Sequence, residues 1–324
     1  MKKIVGILAA AAVLATSVFA ADVSATAKVS SDLFNFNTKS GAMTVLGTLN
    51  NAQTADYATL FSLQFSADKA GGGVKYWGDN ADGKVKFGSY NVWFKPTDNL
   101  KLSFRENARE LFGDKYHGYY ANNVAKVNGG YSATVSLDAI TIDFNLCENL
   151  VTKAGNNADA VIGELGAKLS YNADFGSIAA LFDAYSNFKA FKIGAGFSGN
   201  FEGIGVVVNA GADINGNAIK IGINPSAGGN VDAISWAIDV PVYIEPNKTS
   251  DVASVGLNAK AGYQFEPAKC TLYFEDGNLL ANKFAAKIGL AIEGNIGGAA
   301  WKVDPNYDLG SDTFKIAFEA GIGF

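Results

Sequence analysis

The stretch that decides the fold is the end of the chain, Thr313-Phe-Lys-Ile-Ala-Phe-Glu-Ala-Gly-Ile-Gly-Phe324. Every second residue from position 314 onward is apolar, in the order Phe, Ile, Phe, Ala, Ile, Phe, and the residues between them are Lys, Ala, Glu, Gly and Gly. Successive side chains of a strand point to opposite faces, so this period of two predicts a strand with one apolar and one polar or small face. About ten residues also suffice for a tilted strand to cross a bilayer.

The beginning of the chain predicts export. Lys2 and Lys3 precede an apolar run, and the small residues around Ala20 suit a signal peptidase. We expect residues 1–20 to be a signal peptide cleaved between Ala20 and Ala21, which leaves residues 21–324 as one domain. The residue after the predicted cleavage point is Ala21 and not a cysteine, so we expect no lipid attachment at the new N-terminus.

Composition narrows the possible classes of protein. No apolar run after residue 20 reaches the ~20 residues of a spanning helix, while 37 Gly and 6 Pro suit many strands and tight turns. Removal of two lysines with the signal peptide leaves 24 basic against 31 acidic residues, a balance of −7. Nucleic-acid binding calls for a basic surface and is therefore not expected.

The alternation of the last strand recurs along the chain, for example over 57–67, 234–244, 255–265 and 284–292. Turn-forming residues join such segments in pairs, and longer polar connections are predicted at 69–83, 108–129, 148–160 and 304–312. The hairpins add up to about 18 strands, with 16 equally compatible. Pro241 lies inside a strand and cannot donate a ladder hydrogen bond, so we expect a β-bulge there.

These features predict an all-β fold, a closed antiparallel transmembrane barrel with short turns at one rim and longer loops at the other. In lipid every backbone donor must be paired, which an antiparallel sheet achieves only by closing. A soluble sandwich is the rival, but its core could not hold the charged residues that recur on one face. The candidate lumen-lining residues are Lys101, Asp143, Glu164, Lys168, Lys260, Lys287, Glu293, Lys315 and Glu319.

Metal, disulfide and catalytic sites are not expected. Cys147 and Cys270 fall at opposite rims of the predicted barrel, too far apart for a disulfide. One histidine, His117, provides neither a zinc cluster nor a catalytic pair, and no cofactor motif occurs. Gly194-Ala-Gly-Phe-Ser-Gly199 matches a dinucleotide fingerprint in letters, but it lies in a predicted strand with no helix after it.

Three of these features together resemble bacterial outer-membrane porins: the export signal, the repeated hairpins and the terminal Phe324. The hairpin Trp93-Phe-Lys-Pro-Thr-Asp-Asn-Leu-Lys-Leu102 and the style of the signal are similar to porin-like barrels of spirochaetes, particularly treponemes. The resemblance covers essentially the whole mature chain. It implies an outer-membrane location and an assembly signal at Phe318, Ile322 and Phe324 that the barrel-assembly machinery reads.

The segment 104–122 holds the chain's two arginines, its one histidine and three tyrosines. It belongs to the third long loop, which in porins folds inward and narrows the pore. By this resemblance the candidates for a charged constriction are Arg105, Glu106, Arg109, Glu110 and Asp114. A solvated outer loop whose charges pair with one another is the alternative. The scarcity of arginine departs from the basic ladder of well-known trimeric porins.

The resemblance and the polar inner face together predict a passive channel for small hydrophilic solutes and ions, without catalysis. Two other functions stay open. The chain could be a surface adhesin or structural barrel whose outer loops bind partners, or a transporter of hydrophobic substrates, which would need an apolar lumen or a plug. The expected partners are outer-membrane lipid, the assembly machinery and small solutes, and the protein could be a monomer or a homo-trimer.

Overall fold

A computed structural model describes residues 22–45, 59–79, 84–104, 109–113, 126–127, 130–150, 160–186, 188–281 and 285–323. These residues form 18 antiparallel barrel strands, as the alternation predicted. The described part of the chain contains no helix that is long and apolar enough to cross a membrane.

Each strand pairs with the next one in the chain, and the first strand also pairs with the last, which closes the barrel. Two of them, β13 and β14, are each interrupted within their length. The barrel strands are β1 Asp22–Asn37, β2 Thr59–Ser66, β3 Ala70–Asp79, β4 Lys84–Thr97, β5 Leu100–Phe104, β6 Tyr131–Leu137, β7 Ile140–Leu150, β8 Ala160–Ala173, β9 Gly176–Tyr185, β10 Ala190–Phe201, β11 Ile204–Asn215, β12 Ala218–Val231, β13 Ile234–Asp239 with Val242–Ile244, β14 Ala253–Val255 with Leu257–Phe265, β15 Ala268–Asp276, β16 Lys287–Ile296, β17 Ala299–Asp308 and β18 Thr313–Gly323. Three shorter strands complete the described structure, namely Met43–Val45 against β1 and the pair Arg109–Glu110 with Lys126–Val127.

The first and last barrel strands close the sheet. β1 pairs with β2 on one side and with β18 on the other, from Thr26 opposite Gly323 to Asn37 opposite Thr313. The Lys315 ammonium lies 2.7 Å from an Asp32 carboxylate oxygen across this seam. Closure pairs the two edge strands of the barrel with each other, which is the condition for a β-sheet that spans a membrane.

The two rims differ as the sequence predicted. One rim, here called the turn rim, holds both ends of the described chain and the tight turns at 98–99, 138–139, 174–175, 202–203, 232–233, 266–267 and 297–298. Glu202 and Gly203 both have positive φ, 51° and 87°, the conformation of the type I′ turn that suits twisted hairpins. The other rim, here called the loop rim, carries the longer connections, although 216–217 is itself a two-residue turn.

Two predicted connections, 69–83 and 304–312, are wrong over most of their length, because Ala70–Asp79 and Ala299–Asp308 are strands. In the first, consecutive glycines conceal the alternation. The virtual Cβ atom of Gly71 would lie 2.6 Å from the Trp93 side chain, and that of Gly72 would lie 2.9 Å from Phe65. Glycine at these positions makes room for aromatic rings on both faces of β3.

The bulge predicted at Pro241 is also wrong. The strand is interrupted between Asp239 and Val242, but the pairing register with β12 and with β14 is the same on both sides of the interruption. The Pro241 carbonyl still accepts a hydrogen bond of 2.8 Å from the Gly256 N–H. The proline therefore removes one donor without adding a residue to the strand.

Burial in this barrel is the reverse of that in a soluble protein. Large apolar side chains such as Leu272, Phe182 and Ile223 are exposed on the outside, whereas Asp183, Asn224 and Asp239 are fully buried. A soluble sheet buries its apolar face, so this arrangement fits a barrel whose outer surface contacts lipid and whose interior is polar.

Candidate functional site

The polar interior contains the nine lumen-lining candidates of the sequence analysis. They share the face opposite the exposed apolar side chains, and several lie directly across from one another on neighbouring strands. Asp143 is opposite Lys168, and Glu293 is opposite Lys302, which in turn is opposite Glu319. All nine thus lie on one face of the sheet, the face on which strand periodicity places alternate residues.

Polar contacts between strands, either adjacent or separated by one strand, hold parts of the wall in place. The Thr134 hydroxyl donates a 2.6 Å hydrogen bond to Asp143, and the Tyr273 hydroxyl donates one of 2.7 Å to Asp304. The Lys287 ammonium lies 3.7 Å from a Glu275 carboxylate oxygen. Contacts of this kind fix the positions of charges that face the interior.

A denser group of charges lies on β9 to β11. The Lys192 ammonium is 3.5 Å from a carboxylate oxygen of Asp183 and 4.6 Å from the centre of the Tyr185 ring. The Tyr185 hydroxyl in turn donates a hydrogen bond to Asp213. Both signs of charge occur within one patch, so the wall combines acidic and basic groups.

The third long loop contacts this wall from inside the barrel. Leu111 is buried against Ala179 and Leu181 of β9, two residues of the inner face. The Lys168 ammonium donates a 2.8 Å hydrogen bond to the Leu111 carbonyl oxygen and lies 5.5 Å from the centre of the Phe112 ring. Part of the connection between β5 and β6 therefore lies in the interior.

A second hydrogen bond attaches the loop further along the wall. The Asn209 amide of β11 donates a hydrogen bond of 2.6 Å to the Phe112 carbonyl oxygen. Between these two attachments, Gly196 of β10 faces the Phe112 ring, and its virtual Cβ atom would lie 2.9 Å from Phe112 Cδ2. Glycine at this position lets the aromatic ring approach the backbone of the wall.

The constriction candidates lie beside this attached segment. Arg109 and Glu110 form a short strand that pairs with Lys126–Val127, immediately before Leu111. Arg105, Glu106 and Asp114 are outside the described residues. The structure thus brings two of the five candidates to the part of the loop that enters the interior.

Sequence reasoning overlooked Leu111, Phe112 and Gly196, which form the contact itself. The signal that could have found them is an apolar pair inside an otherwise polar loop. Gly196, at an inward position of β10, is a second signal, because glycine within a strand often marks a place where another group approaches the backbone closely.

A further aromatic residue, Trp93, lies on the inner face near the turn rim. Lys101 and Lys95 place their ammonium groups 5.3 Å and 5.8 Å from the centre of a Trp93 ring. Beside it is a cavity of about 280 Å³, which the side chains of Gln64 and Asn91 also line. Lys101 therefore contributes to the interior through contact with an aromatic face.

The remaining predicted sites are only partly described. Ile322 and Phe318 of the suggested assembly signal lie on β18, on the outer face, whereas Phe324, the His117 loop and the Cys147 side chain are outside the described residues. Cys270 is a free thiol. No group of three or more potential metal ligands occurs within the described residues.

Comparison with solved structures identifies the architecture. The OpdO structure from Pseudomonas aeruginosa matches with a TM-score of 0.60 and 9% identity, covering 94% of this chain and 97% of that one. The outer membrane protein opdK of the same organism matches with a TM-score of 0.57 and 8% identity, covering 94% of this chain and 99% of that one. A mutant of a Rh. blastica porin matches with a TM-score of 0.51 and 9% identity, covering 94% of this chain and 100% of that one. The chain has the fold of the outer-membrane porins.

At identities of 8–9% this likeness concerns the fold alone. No protein-family model matches the sequence, and no curated protein matches it. The porin fold accounts for the 18 strands, the two unlike rims and the outward apolar surface.

Proposed function

We propose that the protein is a channel of the bacterial outer membrane through which small hydrophilic solutes and ions diffuse passively. The observation that carries the proposal is the reversed burial of a closed barrel, with Asp183 and Asn224 inside and Leu272 outside. Barrels of 16 to 18 strands are wide enough to leave an aqueous interior. A polar wall favours water and polar solutes in that interior.

We further propose that the loop attached through Leu111 and Phe112 narrows the channel. Arg109 and Glu110 immediately precede the attached residues, and Arg105, Glu106 and Asp114 flank them in sequence. Fixed charges at a constriction select solutes by charge, because the local field acts on every solute that passes. This supports a role of the five residues in selectivity.

Two features favour a channel over the alternatives. Several connections at the loop rim are short, including 186–189, 216–217 and 309–312, and connections of this length offer little surface for binding a partner protein. A transporter of hydrophobic substrates would need an apolar interior, whereas the described inner wall carries Asp143, Lys168 and Asp239.

The export and assembly proposals accompany the channel. Cleavage between Ala20 and Ala21 would place the new N-terminus directly before β1, which begins at Asp22. Phe318 and Ile322 lie on the outer face of the last strand, and Phe324 continues the same alternation in the sequence, a pattern that supports recognition by the barrel-assembly machinery. A monomer or a homo-trimer would present this barrel equally well.

Planar-bilayer recording of the purified, refolded protein tests the channel. We expect stable ohmic steps in KCl from protein whose folding is verified by a heat-dependent shift in gel mobility. Folded protein that gives no conductance would refute the proposal. The variant Leu272→Arg, placed on the lipid face, serves as a control for insertion, since it should give fewer steps of unchanged size.

A further inference from the structure

A row of alternating charges crosses four adjacent strands on the inner face. Lys269 of β15 lies opposite Glu293 of β16, Glu293 opposite Lys302 of β17, and Lys302 opposite Glu319 of β18. Directly opposite residues of an antiparallel pair have Cβ atoms about 5 Å apart, so the sign of the charge changes at each short step.

This row borders a cavity of about 840 Å³. The cavity also touches Pro267 and Gly298, which belong to tight turns, so it opens at the turn rim. Its volume falls within the range of about 300–1,000 Å³ in which proteins bind small molecules. The charges therefore face a space that a small solute can enter.

Lys269, Glu293 and Lys302 do not form ion pairs with one another. Among the described residues, no ion pair within 4.0 Å joins Lys269 to Glu293 or Glu293 to Lys302. The Lys302 ammonium instead lies 3.6 Å from a carboxylate oxygen of Asp304 on its own strand. Elsewhere in the wall, opposite charges do close, as between Lys315 and Asp32 at 2.7 Å.

We infer that this row binds dipolar solutes, which carry an ammonium and a carboxylate group on one small molecule. Such a solute can place its ammonium beside Glu293 and its carboxylate beside Lys269 or Lys302, with a charge-assisted hydrogen bond at each end. A neutral solute makes neither contact, and a singly charged solute meets one repelling neighbour for every attracting one. The inference rests on the proposed channel function and names its preferred substrate class.

Uptake into liposomes that contain the full-length protein tests the inference. Labelled glycylglycine is compared, at submillimolar concentration, with labelled N-acetylglycinamide, a neutral amide of similar size. We expect the dipeptide to enter faster, and the double variant Lys269→Gln with Glu293→Gln to lower the ratio of the two rates about threefold, because it removes one charged partner for each end of the dipeptide. The uptake of N-acetylglycinamide should stay as it is in the wild type.

A matched control variant separates the effect of this row from the effect of removing any pair of opposite charges. Lys69→Gln with Asp98→Asn removes an ion pair of the same charge from exposed turns at the same rim and should leave the ratio unchanged. An unchanged ratio in Lys269→Gln with Glu293→Gln, or equal rates in the wild type, would overturn the inference alone. Failure of N-acetylglycinamide to enter wild-type liposomes would instead refute the channel.

Discussion

Asn209, on the inner wall, donates a hydrogen bond of 2.6 Å to the carbonyl oxygen of Phe112, in the loop between β5 and β6. With the bond from Lys168 to the Leu111 carbonyl oxygen, it attaches the loop to the wall at two consecutive residues, directly after the short strand Arg109–Glu110. A backbone held at two points by the wall has little freedom to leave the interior. The position of the loop therefore depends on the wall residues Lys168 and Asn209 as well as on the loop sequence.

Removal of both donors should release the loop. In Lys168→Ala with Asn209→Ala, the attached state loses hydrogen bonds worth roughly 1–3 kcal/mol in total, so we expect larger and noisier single-channel conductance. Planar-bilayer recording measures both quantities. The control Lys189→Ala with Asn200→Ala removes the same residue types from two ends of β10, away from the loop, and should match the wild type. Wild-type noise and conductance in the first variant would exclude these attachments from control of the pore.

Gly196 offers a test of the same contact from the other side. A methyl group in Gly196→Ala would lie 2.9 Å from Phe112 Cδ2 and 2.5 Å from Asn209 Oδ1, an overpacking that costs about 1–3 kcal/mol. We expect the loop to shift and conductance to change while the barrel still folds. Gly323→Ala is the control, because its added methyl group would lie 3.9 Å from Thr26 Cγ2, an ordinary van der Waals contact. Identical recordings from both variants would argue against close packing of Phe112 on the wall.

The assignment of faces can be tested with two adjacent residues of β15. Leu272 is 57% exposed on the outside, whereas Thr271 faces the interior. Arginine at the lipid face of a barrel costs about 2–4 kcal/mol near the middle of the bilayer, but an inward arginine remains in water. We expect Leu272→Arg to lower the free energy of unfolding in lipid vesicles by that amount and Thr271→Arg to change it little. Equal effects of the two substitutions would contradict the assignment.

Strand alternation explains why the fold could be predicted from sequence and the contact site could not. The segment 234–244 can be predicted as a strand with one apolar and one polar face, because apolar side chains recur at every second position. Gly71 to Gly73 show no alternation of polarity, since glycine has no side chain, so the sequence predicts a connection where the structure has strand β3. In β17, Asp304 and Asn306 face the interior and make a strand look like a polar loop.

Contacts between distant segments need a register that local sequence does not contain. The row from Lys269 to Glu319 joins four strands whose pairing depends on every intervening turn. Similarly, Phe112 and Gly196 are far apart in the chain and meet only because the loop enters the barrel. Alternation predicts which residues share a face of the sheet, but it does not predict which of them are in contact.

Ion selectivity should depend on the two arginines of the loop. We expect Arg105→Ala with Arg109→Ala to raise the cation-to-anion permeability ratio about twofold, because the variant removes two fixed positive charges and one such charge contributes about 0.2–1 kcal/mol. Reversal potentials in a KCl gradient measure this ratio. Lys39→Ala with Lys248→Ala removes the same charge from exposed connections at the loop rim and should have a smaller effect. Unchanged reversal potentials in the arginine variant would exclude the arginines from selectivity.

The last residue should matter for assembly and not for transport. Phe324 follows Gly323, which lies opposite Thr26 at the seam where the barrel closes. We expect Phe324→Ser to reduce the amount of folded barrel in outer membranes severalfold, measured by heat-dependent gel mobility, while channels that do assemble conduct as the wild type does. Phe175→Ser, which alters an exposed aromatic residue in a turn at the same rim, should assemble normally. A changed conductance in assembled Phe324→Ser would instead connect the chain end to the pore, whereas normal assembly would remove Phe324 from the assembly signal and leave Phe318 and Ile322 to be tested in the same way.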